Sequence, residues 1–284
     1  MQWIDGKKLA ETRNHNLKNL VQVYLSQKRR RPCLAVILVG NNPASESYVK
    51  NKEKACATVG IESKAFKLKE TTTHSELVNL IEILNADALV DGILLQLPLP
   101  DHLKSFEIIE KILPAKDVDG LTAKNQGLLC VQQDAFIPCT PLGVLHLLES
   151  ISFDLSGKIA AVVGRSQLVG SPLVRLLTKK DATVIQIHSK SVKPWQWCSQ
   201  ADVLVVAAGV PHLVDEKWIK EGAVVIDVGI HRLPDGTLCG DVQQTEEVHK
   251  KVLWITPVPG GVGPMTINSL LTNCMKAYER NVIS

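Results

Sequence analysis

Apolar positions along the chain alternate between a helical spacing and unbroken short runs, and the alternation repeats from end to end. Leu9, Leu17, Leu20, Val21, Tyr24 and Leu25 fall on one helical face, predicting an amphipathic helix from about Lys7 to Lys28 that Pro32 terminates. Cys33 to Val39 is continuously apolar, as a strand buried on both faces is. Gly40-Asn41-Asn42-Pro43 reads as a turn, Ser45-Glu46 as a cap, and a helix follows to about Val59 before Gly60. Ile61 to Leu68 is a weaker strand. Thr73-His74-Ser75-Glu76 is a capping box ahead of a helix that buries Leu77, Leu80, Ile81 and Leu84. Asp91-Gly92 leads into Ile93-Leu94-Leu95-Gln96-Leu97, where the amide of Gln96 in so apolar a strand must find partners. Helices are expected at about Lys104 to Leu113 and Leu142 to Ile151.

The second half repeats the pattern. Strands are expected at Ile159, Thr183 to Ile187, Val203 to Ala207 and Val224 to Val228, with helices through Leu177 and near Trp195 to Gln200. Asp235-Gly236 suggests a hairpin, and a last helix runs to about Arg280. Strands alternating with helices give parallel sheets covered on both faces, so the fold class is α/β in two domains. With Pro138-Cys139-Thr140-Pro141 as the exit from the first, residues 1–140, completed by a C-terminal helix over 264–284, form one domain. Residues 141–263 form a Rossmann-like second domain.

Composition narrows the class. The 284 residues are 45% hydrophobic and 21% charged, ordinary for a globular protein, and neither a signal peptide nor a membrane-spanning run is visible. Seven cysteines without C-x-x-C spacing argue for reduced thiols and a cytoplasmic setting. A net charge of +3, with no basic run beyond Lys28-Arg29-Arg30-Arg31, gives no support for nucleic acid binding, and that run reads as a solvated helix end. His102, His146, His212, His231 and His249 lack metal-ligand spacing, so surface or packing roles are expected and no metal.

Candidate chemistry begins at Ile159 to Pro172. An apolar strand stops at Gly164, and a helix opens after the turn, an arrangement that offers backbone N–H groups and a positive dipole end to a pyrophosphate. The second glycine of the usual fingerprint is replaced by Ser166, which leaves an ordinary βα turn open as the alternative. The next strand ends in His188-Ser189-Lys190 where an NAD site carries a carboxylate, and with Arg165 nearby this favours NADP over NAD, unless the cations are merely solvated. Tyr48 and Lys52 share a helical face, as catalytic partners or as surface neighbours. Asp227 ends its strand, either near a cofactor or in a turn.

Six stretches carry a resemblance over essentially the whole chain: VGNNPASESYVKNKEKAC from Val39, DGILLQLPLP from Asp91, KDVDG from Lys116, PCTP from Pro138, GRSQLVGSP from Gly164 and PVPGGVGPMT from Pro257. The sequence resembles the bifunctional methylenetetrahydrofolate dehydrogenase/methenyltetrahydrofolate cyclohydrolases. The resemblance implies a folate domain and an NADP-binding domain with a cleft between them, a homodimer, and tetrahydrofolate derivatives as substrates. It also implies that Lys52 is the catalytic lysine, that Tyr48 stacks on or orients the folate ring, that Gln96 maintains the protonation state of Lys52, and that Asp119 grips the pterin edge. It assigns NADP to Gly164, Arg165, Ser166, Ser189, Thr140 and Ile230, and places Gly260, Gly261 and Pro264 against the ligands. The rival readings are a dehydrogenase-only member, which would lack Lys52, and a non-catalytic dinucleotide-binding module, which would have no use for Tyr48, Lys52, Gln96 and Asp119 together.

Overall fold

A computed structural model describes residues 1–282, and of Ala44 the backbone alone. In chain order the first elements are β1 (Gln2–Trp3), α1 (Gly6–Ser26), β2 (Cys33–Val39), α2 (Pro43–Val59), β3 (Glu62–Leu68), α3 (His74–Ala86) and β4 (Gly92–Leu95). Helices α4 (Ser105–Ile109), α5 (Ala123–Cys130) and α6 (Cys139–Ser150) follow. The second half contains β5 (Ile159–Val163), α7 (Gly170–Lys179), β6 (Thr183–Ile187), α8 (Pro194–Cys198), β7 (Val203–Val206), β8 (Ala223–Asp227), β9 (His231–Arg232), β10 (Leu238–Cys239), α9 (Glu246–Lys251), β11 (Val252–Ile255) and α10 (Val262–Val282).

The chain divides into two compact units, one of Met1–Glu11 with Thr140–Thr266, the other of Thr12–Cys139 with Ile267–Ser284. This departs from the expected division at the amino terminus, because β1 pairs in parallel with β11 and so joins the sheet of the later unit. That sheet is parallel throughout, in the order β1-β11-β8-β7-β5-β6, and the other unit holds the parallel sheet β3-β2-β4. Asp235-Gly236 does turn a hairpin, between β9 and β10.

The all-apolar composition of β2 follows from period-two alternation between two covered faces. Leu34, Val36 and Leu38 pack with Val49, Val59 and Leu270, while Ala35, Ile37 and Val39 pack with Leu77, Ile81 and Ile108. In β5, Ala160 and Val162 join Leu173 and Leu177, and Ala161 and Val163 join Cys198.

Helix starts follow local chemistry. The α3 capping box forms as expected: the Thr73 hydroxyl accepts from the Glu76 N–H at 3.3 Å, and the Glu76 carboxylate accepts from the Thr73 N–H at 2.8 Å. Thr73→Ala is expected to cost about 1 kcal/mol, read from the urea midpoint, and an unchanged midpoint would show that the cap carries no net stability. Helix α2 instead starts earlier than Ser45-Glu46 suggests. Oδ1 of Asn42 accepts from the Ser45 N–H at 3.2 Å, and Pro43 occupies the first helical position, where its missing N–H costs nothing. The basic run after α1 is more than solvated: Arg30 donates to both oxygens of the buried Asp91 carboxylate, at 2.6 and 2.7 Å.

Candidate active site

Helix α2 presents Tyr48 and Lys52 one turn apart. Lys52 is only 9% exposed, and its Nζ donates to Oε1 of Gln96 at 2.8 Å. Gln96 follows β4 directly. Its backbone N–H continues the sheet ladder to the Ile37 carbonyl, and its Nε2 donates to the Leu97 carbonyl at 2.7 Å. Since Leu97 O can only accept, the amide is held with its oxygen toward the lysine. This is the partner that the apolar strand required. Burial lowers the Lys52 pKa from its ordinary value, with Asp119 opposing the shift; burial raises Asp119, with Lys52 opposing. Tyr48 remains 39% exposed, and burial of part of its ring raises the phenol pKa. The structure thus brings Lys52, Gln96 and Asp119 into one electrostatic group, with Tyr48 on the same helix as the lysine.

Asp119 owes its position to residues that the sequence reading passed over. The Asp117 carboxylate accepts from the N–H groups of Leu121 and Thr122, from the Thr122 hydroxyl and from the Asn125 amide, at 2.8 to 3.1 Å. Asn273 of α10 donates to the carbonyls of Val118 and Ile137. The backbone on either side of Asp119 is therefore pinned, and its side chain, which hydrogen-bonds to Cys139, is the acid of the KDVDG stretch that interacts with Lys52.

In the other unit, Gly164 has φ +133°, and a Cβ there would lie 2.3 Å from the Ala207 carbonyl oxygen, so only glycine lets the chain turn off β5 so close to β7. Arg165 and Ser166 are exposed in the following loop, where the Ser166 hydroxyl accepts from the Val169 N–H ahead of α7. Val163 and Ile187 are register partners, so Arg165 and Ser189, each two residues further on, occupy neighbouring loops at the same edge of the sheet. Thr140 and Thr266 bring their hydroxyls to 3.1 Å, and exposed Ile230 lines a cavity with Gly209, Val228 and Gly229. Gly261 and Gly260 have an architectural use as well. A Cβ on Gly6 would fall 1.9 Å from the Gly261 carbonyl oxygen, and Gly260 accepts from the Lys7 N–H at 2.9 Å. Pro264 lies in the first turn of α10.

Models of the two domains of one family match this chain: the tetrahydrofolate dehydrogenase/cyclohydrolase catalytic domain over residues 4–119, and the tetrahydrofolate dehydrogenase/cyclohydrolase NAD(P)-binding domain over residues 138–282. The chain belongs to the tetrahydrofolate dehydrogenase/cyclohydrolase family. A bifunctional protein FolD of Agathobacter rectalis is 48% identical over 277 residues, spanning 98% of this chain and 99% of the relative. The crystal structure of a bifunctional FolD methylenetetrahydrofolate dehydrogenase/cyclohydrolase from Campylobacter jejuni superposes with a TM-score of 0.97 at 47% identity, over 99% of this chain and 100% of that one. A Trypanosoma brucei N5,N10-methylenetetrahydrofolate dehydrogenase-cyclohydrolase, solved with NADP cofactor and inhibitor, gives 0.94 at 36% identity, over 99% and 98%.

Within this family member Asp227 takes the turn role of its two sequence readings. Its buried carboxylate accepts from the N–H groups of Gly229, Asp241 and Val242, at 2.9 to 3.0 Å. Burial pushes its pKa up to about 6. A raised carboxyl binds more protons folded than unfolded between its ordinary value and about 6, so its contribution to stability improves as the pH falls through that window. The stability of the native chain relative to Asp227→Asn is accordingly expected to rise between pH 7 and pH 5 in urea titrations, and a flat or falling difference would contradict the assignment.

Proposed function

We propose that this enzyme oxidises 5,10-methylenetetrahydrofolate to 5,10-methenyltetrahydrofolate with NADP as hydride acceptor and then hydrolyses the product to 10-formyltetrahydrofolate. The observation that carries the reading is the buried Lys52 held by Gln96 beside Asp119, in a chain that also contains the glycine turn of a dinucleotide site. Family membership supports both activities. A dehydrogenase-only reading has no use for Lys52.

The residues around Gly164 fit a phosphorylated dinucleotide. The turn after β5 and the start of α7 suit a pyrophosphate. Arg165 with the Ser189 hydroxyl suits a further phosphate at the neighbouring loop. NADP supplies hydride acceptance when bound. Thr140, Ser166 and Ile230 complete the assignment of cofactor contacts, and Gly260, Gly261 and Pro264 are assigned to the substrate.

Hydride loss from the one-carbon bridge is driven by the adjacent nitrogen lone pair, so it asks the protein mainly for positioning. Hydrolysis asks for more. Water must lose a proton as it attacks the methenyl carbon; as the carbon–nitrogen bond then breaks, the departing ring nitrogen must gain one while the new hydroxyl releases its own to solvent and becomes the formyl carbonyl. Lys52, with its pKa lowered by burial, takes the proton at Nζ and returns it to the nitrogen, while Gln96 holds Nζ in place. The Asp119 carboxylate accepts hydrogen bonds from the amino-amidine edge of the pterin, and Tyr48 lies against the ring. Assembly as a homodimer and residence in the cytoplasm belong to this reading on the strength of the resemblance; among the described residues no helix is long and apolar enough to cross a membrane.

Product analysis tests the proposal. Incubation of the native protein with 5,10-methylenetetrahydrofolate and NADP is expected to yield NADPH and 10-formyltetrahydrofolate, and failure to form NADPH would overturn the reading.

A further inference from the structure

Asp241 has no exposed surface and serves four donors in the NAD(P)-binding unit. Its Oδ2 accepts from the N–H groups of Ala208 at 2.7 Å and Gly209 at 2.9 Å. Its Oδ1 accepts from the Val210 N–H at 3.0 Å and from Nε2 of His231 at 2.7 Å. The first three donors form the loop that leaves β7. The fourth opens β9 and ends the segment that leaves β8. One carboxylate therefore ties together two neighbouring loops at the C-terminal edge of the sheet.

Those loops line a cavity, with Val169, Ala207, Gly209, Ile230, His231 and Asp241 on its wall. Its place in the sheet is informative. β6 lies on one side of β5 and β7 on the other, so the topological switch point, where open parallel sheets bind their ligands, falls between β5 and β7. The glycine turn after β5 serves the phosphates, and the adjacent cavity beyond β7 and β8 is left for the ring at the far end of the dinucleotide. The packing around the carboxylate is close. A Cβ on Gly229 would lie 2.3 Å from Oδ1 of Asp241, so the segment leaving β8 wraps the acid with no space for a side chain.

We propose that Asp241, with His231 as its latch, is a positioning residue for the nicotinamide end of NADP. The inference rests on the NADP reading above. The acid acts through the loops: by fixing three consecutive N–H groups on one side and the imidazole on the other, it sets the cavity's shape before the cofactor arrives and removes the entropy of ordering two loops from the cost of binding. No neutral side chain of the same size can substitute. Asparagine must turn an NH2 group toward either Ala208 and Gly209 or Val210 and His231, setting donor against donor. His231, which sequence spacing consigns to packing, has a specific partner.

The test uses the full chain and three variants, with NADP binding followed by tryptophan fluorescence and initial rates measured against each substrate. Asp241→Asn is expected to raise both the Kd and the KM for NADP by about tenfold or more while the KM for methylenetetrahydrofolate stays at the native value. His231→Leu, which leaves the buried acid in place, is expected to raise the KM for NADP by about fivefold. His231→Gln, whose Nε2–H can reach the same oxygen, is expected to stay within about twofold of native. A merely structural role would move both KM values, or neither. NADP binding by Asp241→Asn and His231→Leu at native affinity would overturn the inference while leaving the cofactor reading intact; a native protein that binds no NADP would overturn the cofactor reading, and the inference with it.

Discussion

Lys52→Met is expected to slow hydrolysis of supplied 5,10-methenyltetrahydrofolate by about 10²–10⁴-fold, the usual contribution of a positioned general acid–base. Hydride transfer depends less on proton movement and is expected to fall less, and NADP affinity is expected to remain native because the residues proposed to hold the cofactor belong to the other unit. Methionine retains the unbranched stem without the charge. The stability sign can be worked out. Burial sets the folded pKa of Lys52 below the unfolded one, so between the two values the folded chain binds fewer protons, and stability rises with pH across that window. Burial of Lys52 therefore opposes folding near neutrality, and the thermal midpoint of the variant is expected to equal or exceed the native one. Loss of hydrolysis with a retained midpoint would mark Lys52 as a group kept for chemistry. Native hydrolysis by the variant would remove it from the mechanism.

Gly164→Ala has the opposite signature. The new Cβ would meet the Ala207 carbonyl oxygen at 2.3 Å, and the backbone sits at φ +133°, where a side chain is strained by about 1–3 kcal/mol before any clash is counted. Either β7 or the turn must move. Both line the proposed cofactor site, so NADP affinity is expected to fall by about 10²-fold, and oxidation of methylenetetrahydrofolate at fixed NADP with it. Hydrolysis of supplied methenyltetrahydrofolate, proposed to use Lys52, Gln96 and Asp119 of the other unit, is expected to survive, and its survival separates a lost cofactor from a lost fold. Native NADP affinity would show that the turn after β5 does not bind the dinucleotide.

The two sites were legible in the sequence to different depths. The strands β2 and β5 declare themselves because a doubly covered strand must be apolar throughout, and the α3 capping box is written in four consecutive residues. Gln96 drew attention as an amide in an apolar strand, and its partner proved to be Lys52, 44 residues away. By contrast β1 and β11 escaped notice. The first is two residues long and the second leaves Leu253 exposed, so neither carries a burial pattern, and their pairing joins the ends of the chain. The start of α2 lies at Asn42-Pro43 rather than at Ser45-Glu46, which offers a similar signal three residues later. Asp117, Asn273 and Asp241 were unreadable for another reason. Each is a single polar residue with at least two backbone groups among its partners, and nothing in the identity of a backbone group marks it in sequence.

The measurement that tests the account most directly follows NADPH and 5,10-methenyltetrahydrofolate together, by absorbance, as methylenetetrahydrofolate is turned over with NADP by the native protein and by Lys52→Met. The account predicts that the native protein forms NADPH with little methenyl intermediate standing, and that the variant forms NADPH more slowly while the intermediate accumulates. Equal accumulation by both proteins would contradict it, because hydrolysis would then owe nothing to the lysine around which the site is built.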